Sequence, residues 1–119
     1  MKILAVLTVV LFLLFFPYLL GYRWTYLVSS SMTPSIYPYD LVLVEKAKDV
    51  KVGDIVVFRL ENETICHRVI SINGSMVTTK GDSAGSTVET FPIFFIHYKV
   101  VQVGNSIVKI PIGELLFRG

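Results

Sequence analysis

The chain holds a single cysteine, Cys66, in 119 residues. One thiol cannot close an intramolecular disulfide, and no CxxC or Cys/His spacing accompanies it, so neither a cross-link nor a thiolate metal site is expected. Charge of either sign is scarce too. Eleven Lys and Arg against nine Asp and Glu leave a formal +2, and the basic residues stand singly rather than in a run or stripe. That scatter argues against nucleic-acid binding. Internal repeats and low-complexity linkers are missing. Beyond Leu41 no stretch keeps a 3.6-residue apolar period, so any helix there should be short.

Apolar residues are what the chain has in excess. They make up 53% of it, and the mean hydropathy is +0.64. That is too high for an ordinary soluble domain, and a membrane is the natural place for the surplus. Ile3 to Leu20 is an apolar run of 18 residues with Lys2 before it and Arg23 after it, close to the ~20 residues that span a ~30 Å hydrocarbon core. Pro17 sits near its end, where a kink costs least. Tyr18, Tyr22, Trp24 and Tyr26 then supply the aromatic belt of a helix leaving the bilayer. A cleaved leader would have a shorter apolar core and a small-residue cleavage site, which Gly21-Tyr22-Arg23-Trp24 does not offer. The reading is an uncleaved transmembrane signal anchor over residues 1–23 and one small domain over residues 24–119. Lys2 and the N-terminal amine against Arg23 give a weak bias towards a cytoplasmic N-terminus.

From Leu41 onward the chain reads as β-rich runs: Leu41–Glu45, Asp54–Leu60, Ile65–Ile72, Ser75–Lys80, Tyr98–Val103 and Ser106–Ile110. Val52-Gly53-Asp54, Asn73-Gly74 and Gly81-Asp82 punctuate them, and Asn73-Gly74 predicts a type I′ hairpin. The fold class expected is mainly β: a transmembrane helix followed by a small antiparallel folded-sheet or barrel-like domain. Phe91-Pro92-Ile93-Phe94-Phe95-Ile96 is the most apolar run outside the anchor, and Pro92 demotes it as a regular strand. It reads equally as core or as a patch that dips into a bilayer. Asn62-Glu63-Thr64 and Asn73-Gly74-Ser75 match the N-glycosylation pattern, which is common by chance.

Chemistry concentrates in a few residues. Ser29-Ser30-Ser31-Met32-Thr33-Pro34 lies between the anchor and the first of these runs. A serine is a poor nucleophile at neutral pH unless a base takes its proton, and the chain has two histidines, His67 and His97. Alternation along Ile65–Ile70 turns His67 away from the face that carries Cys66 and Arg68. Spacing alone does not choose between the two histidines. Taken singly, three serines before a proline read as a loop or cap, and either histidine as a hydrogen-bonded strand residue.

In order, however, Ser29-x-Ser31-Met32-x-Pro34, Asp40, Gly53-Asp54-Ile55-Val56-Val57-Phe58, His67-Arg68-Val69 and Lys80-Gly81-Asp82 resemble the conserved boxes of type I signal peptidases over roughly residues 3 to 103. Bacterial members carry lysine where this chain has His67, so the resemblance is to the ER and archaeal type. It implies a membrane-bound serine endopeptidase with Ser31 as nucleophile and His67 as general base. Ser29 and the backbone N–H of Ser31 would form the oxyanion hole, and Asp82 would orient or support the imidazole. It further implies extended signal peptides as substrates, cut after small residues, and a membrane lipid environment. The catalytic domain would lie on the extracytoplasmic or lumenal side of a single-pass protein of the cell or ER membrane. No metal or organic cofactor is implied, and accessory subunits are left open.

Two positions depart from the family pattern. Tyr39-Asp40 stands where Gly-Asp is usual. Gly81-Asp82 continues Ser83-Ala84-Gly85, so the position of the usual second aspartate is Val88, with Glu89 next. The orienting acid is therefore Asp82 by motif, or Glu89 if the loop is one residue longer. Other readings are a self-cleaving regulator of related fold, which would use lysine and lack an anchor, and a non-catalytic or degenerate membrane-anchored β module.

Overall fold

A computed structural model describes residues 1–117. The apolar run forms one helix, α1 (Lys2–Leu19), none of whose residues is buried, and it is long and apolar enough to cross a membrane. A β-domain follows almost at once. Its strands are β1 (Tyr22–Thr25), β2 (Leu41–Lys46), β3 (Ile55–Leu60), β4 (Glu63–Asn73), β5 (Met76–Lys80), β6 (Val88–Pro92) and β7 (Ile96–Val100). The short pieces β8 (Gln102–Val103), β9 (Ser106–Ile107), β10 (Lys109–Ile110) and the six-residue helix α2 (Ile112–Phe117) complete it. The expected mainly β architecture behind an N-terminal apolar helix is thus present.

The main sheet runs β1-β2-β7-β3-β4-β5-β6 with every pair antiparallel, and β10 adds to β2. Of its strands, β3 is buried on both faces, which is why Ile55-Val56-Val57-Phe58 is apolar throughout rather than alternating. Ile55 and Val57 join Met32, Ile36, Val42, Val44, Cys66 and Val100 in one core. Val56 and Phe58 join Val69, Val77, Phe91 and Ile96 in the other.

Several local readings need correction. β1 occupies residues read only as an interfacial belt. Trp24 lies on this strand and donates from its indole N–H to the Leu14 carbonyl of α1 at 3.0 Å. The β4–β5 loop is Gly74-Ser75, since Asn73 pairs with Met76. Only Gly74 there has positive φ, at 62°, which fits a type II′ turn rather than I′. The I′ turn lies instead between β3 and β4, where Glu61 and Asn62 have φ of 50° and 67°. The Phe91–Ile96 run divides. β6 ends at Pro92 on the sheet edge, where a missing N–H is tolerated. Phe91 and Ile96 enter the core, Ile93 and Phe95 pack against it, and Phe94 is 76% exposed.

Candidate active site

Ser31 belongs to a loop that other segments hold in place. Met32 and Ile36 are buried in the first core and anchor it from below. The backbone N–H of Ser83 donates to the Ser31 carbonyl at 2.9 Å, and the Ser86 hydroxyl to the same oxygen at 3.2 Å. Ser83 Oγ lies within hydrogen-bond reach of the Ser30 carbonyl, the Thr33 carbonyl and the Thr33 hydroxyl, at 2.6, 2.8 and 2.7 Å. A Cβ at Gly81 would collide with the Ser31 carbonyl, so only glycine lets the two loops approach this closely. Ser83 carries no signal in the sequence beyond departing from the family pattern, and Ser86 carries none. They are nonetheless the clamps that position the serine loop.

His67 sits on β4 opposite Val56 of β3. Its side chain is 3% exposed and its ring meets the edge of Phe58 at 6.0 Å between centroids. Burial pushes the imidazole below its ordinary value; Glu89 and Asp82 pull it up and Lys80 pushes it down, and burial prevails. A ring held neutral at pH 7 is able to accept a proton. His67 Nδ1 and Thr79 Oγ1 are both buried and have no hydrogen-bond partner among the described residues. Each such atom ordinarily costs about 1–3 kcal/mol.

Ser29, Ser31, His67 and Glu89 line one cleft of about 220 Å³, together with Glu63, Thr64, Ile65 and Thr87. Ser29 Oγ accepts from the Ser31 N–H at 3.1 Å, so the two groups expected to form an oxyanion hole already meet. Asp82 is engaged elsewhere. It receives Arg68 Nε and Nη2 at 2.9 and 2.8 Å and the Ser35 hydroxyl at 2.6 Å. Its pKa is held below the ordinary carboxylate value, chiefly by the Arg68 hydrogen bond. Since Arg68 also donates to the Gly53 carbonyl at 3.0 Å, Asp82 ties β4, the turn before β3 and the serine loop together.

Asp40 is buried and accepts from Lys109 Nζ at 2.8 Å and from the backbone N–H groups of Tyr37 and Glu114 at 2.9 Å each. Burial raises its pKa, but these hydrogen bonds outweigh burial and leave it lowered.

Two larger cavities lie elsewhere. One, of about 540 Å³, is lined by Arg23, Lys46, Lys48 and Lys99 among others at the end of α1, and contains neither serine nor histidine. The other, of about 310 Å³, includes His97 but no serine. The smaller cleft is the one of the three that holds both a serine and a histidine. Among the described residues no three His, Cys, Asp or Glu side chains are grouped as a metal centre would require.

No curated protein and no solved structure gives a significant match to the chain. Residues 1–85 match the family model described as signal peptidase, peptidase S26. That span runs from the apolar helix through the Ser31 loop and His67 to the Gly81-Asp82 turn. The chain belongs to the signal peptidase family, peptidase S26.

Proposed function

We propose that the protein is a membrane-bound serine endopeptidase of the Ser/His, ER and archaeal kind that removes signal peptides from preproteins after small residues. The observation that carries this reading is the shared cleft of Ser31, His67, Ser29 and Glu89. Ser31 Oγ attacks the scissile carbonyl while His67 Nε2 takes its proton. The developing oxyanion accepts from the Ser31 N–H and the Ser29 hydroxyl, which give up their mutual bond to it. Protonated His67 then donates to the leaving amine, and water admitted to the acyl-enzyme is activated by the same ring. Glu89, which lines the cleft, is the acid that faces His67; Asp82 supports the site through Arg68 and Ser35.

The substrate strand has a place to add. β4 pairs with β3 from Glu63 onward, but β5 joins its other edge only from Arg68. Among the described residues, Glu63–His67 therefore leaves one edge without a strand partner beside the cleft, where an extended peptide gains backbone hydrogen bonds. With α1 across the bilayer, the domain stands on the extracytoplasmic or lumenal side, where signal-peptide ends emerge.

The test is cleavage of a model preprotein in liposomes by wild type, Ser31→Ala, Ser30→Ala and His67→Ala. Wild type and Ser30→Ala should cut after a small residue, and the other two should lose activity by at least about a thousandfold. Equal loss at Ser30 and Ser31 would reject the assignment of the nucleophile.

A further inference from the structure

The two unpartnered buried atoms, His67 Nδ1 and Thr79 Oγ1, belong to one face of one sheet. Thr79 on β5 stands directly opposite Val69 of β4 on one side and Glu89 of β6 on the other. His67 is two residues from Val69 along β4, hence on the same face and diagonal to Thr79. Diagonal neighbours lie about 7–8 Å apart at the backbone, a gap that an imidazole spans, and directly opposite side chains lie closer still. Thr79 is 0% exposed, so its hydroxyl has no recourse to solvent.

The chemistry of the three groups is complementary. For Nε2 to accept a proton from Ser31, the neutral ring must carry its hydrogen on Nδ1 and donate it. A threonine hydroxyl accepts through lone pairs and donates one hydrogen. Glu89 accepts at Oε1 from the Thr87 hydroxyl at 3.0 Å and has a second oxygen for another donor.

We propose that Thr79 is a positioning residue that couples Glu89 to the base: His67 Nδ1–H donates to Thr79 Oγ1, and the Thr79 hydroxyl donates to the Glu89 carboxylate. Side-chain rotations close both bonds, and no proton leaves Thr79. The arrangement fixes the productive tautomer and lets a carboxylate one residue removed stabilise the imidazolium formed as Ser31 attacks. This role rests on His67 acting as base for Ser31. The charged groups around the ring are Glu89 on β6, Lys80 on β5, Asp82 after β5 and Glu63 on β4; β3 presents Val56 and Phe58, which carry no charge.

The experiment follows the ring itself as well as turnover. Full-length protein in detergent micelles, labelled with ¹⁵N-histidine, gives signals from two rings, and His97→Gln assigns them. Thr79→Val should lower the His67 pKa by about one unit, admit the other tautomer, and lower kcat about tenfold with little change in KM. Thr79→Ser should restore all three. A His67 titration and tautomer unchanged in Thr79→Val overturn the coupling. If Thr79→Val does not fold, Glu89→Gln reads the far end of the same chain of bonds, and an unmoved His67 titration there overturns it too. Cleavage that survives Ser31→Ala would instead remove the peptidase reading, while the ring titration still decides the coupling.

Discussion

Burial sets the range in which His67 is able to accept a proton. The unfolded ring titrates near its ordinary 6.5, and the folded ring below that because burial disfavours its charge. Protonated imidazole cannot take the serine proton, so activity should fall as pH drops through the folded value. The acid limb of kcat/KM is accordingly expected below pH 6.5, and a pH–rate profile from 4.5 to 9 checks it. A limb above 7, or a flat profile, would reject His67 as the base. The sign for stability is the same. Below 6.5 the unfolded chain binds the proton first, so the contribution of neutral His67 is present above that pH and lost beneath it. Cys66 behaves oppositely. Burial pushes its thiol up to about 12, which keeps it protonated and inert at neutral pH.

At the scale of elements, the serine loop is as good as the loop that holds it. Ser83, Ser86 and Gly81 all act on the backbone of residues 30–33. Gly81→Ala should push the Ser31 carbonyl aside and cost about 100-fold in kcat, a displacement near 1 Å being enough for that. Activity measured beside a thermal melt separates this from unfolding; a fully active Gly81→Ala would show that the loop has slack.

How far the elements could be read in advance varies for physical reasons. The anchor, β2 to β5 and the order of the motif boxes were legible, because apolar runs and turn residues are local signals. β1 was hidden because an aromatic-rich segment after an apolar run reads as an interfacial belt, and β6 because Pro92 closes it. The choice between Asp82 and Glu89 depends on which partner each meets across the sheet. Arg68 reaches Asp82 from 14 positions away, and no local pattern contains that. Thr79 reads as an ordinary strand threonine until β4 and β6 are placed on either side of it.

Across the whole molecule, a few charged contacts join segments remote in sequence. Lys109 on β10 bonds Asp40 and the Ser35 carbonyl, so β10 braces the segment that follows Ser31. Asp40→Ala removes the buried carboxylate that pairs with Lys109 and accepts from two backbone N–H groups, and should cost about 3–5 kcal/mol of stability, read from chemical denaturation. Asp40 and Asp82 are both held below their ordinary 3.8. Their contributions are complete above that pH and disappear as pH falls through the folded values. Melting temperature should therefore drop as pH falls below 3.8 in wild type, and the drop should be shallower in Asp40→Ala.

Two residues, Leu20 and Gly21, separate α1 from β1, and Trp24 is bonded back onto the helix at Leu14. A domain joined so closely has little freedom to swing. On the proposed reading, with α1 across the bilayer, the cleft would stand at a set height above the lipid and the anchor would serve as a ruler. The scissile bond would then be selected partly by how far it emerges from the surface, and side-chain recognition would need only choose among the few bonds presented at that level.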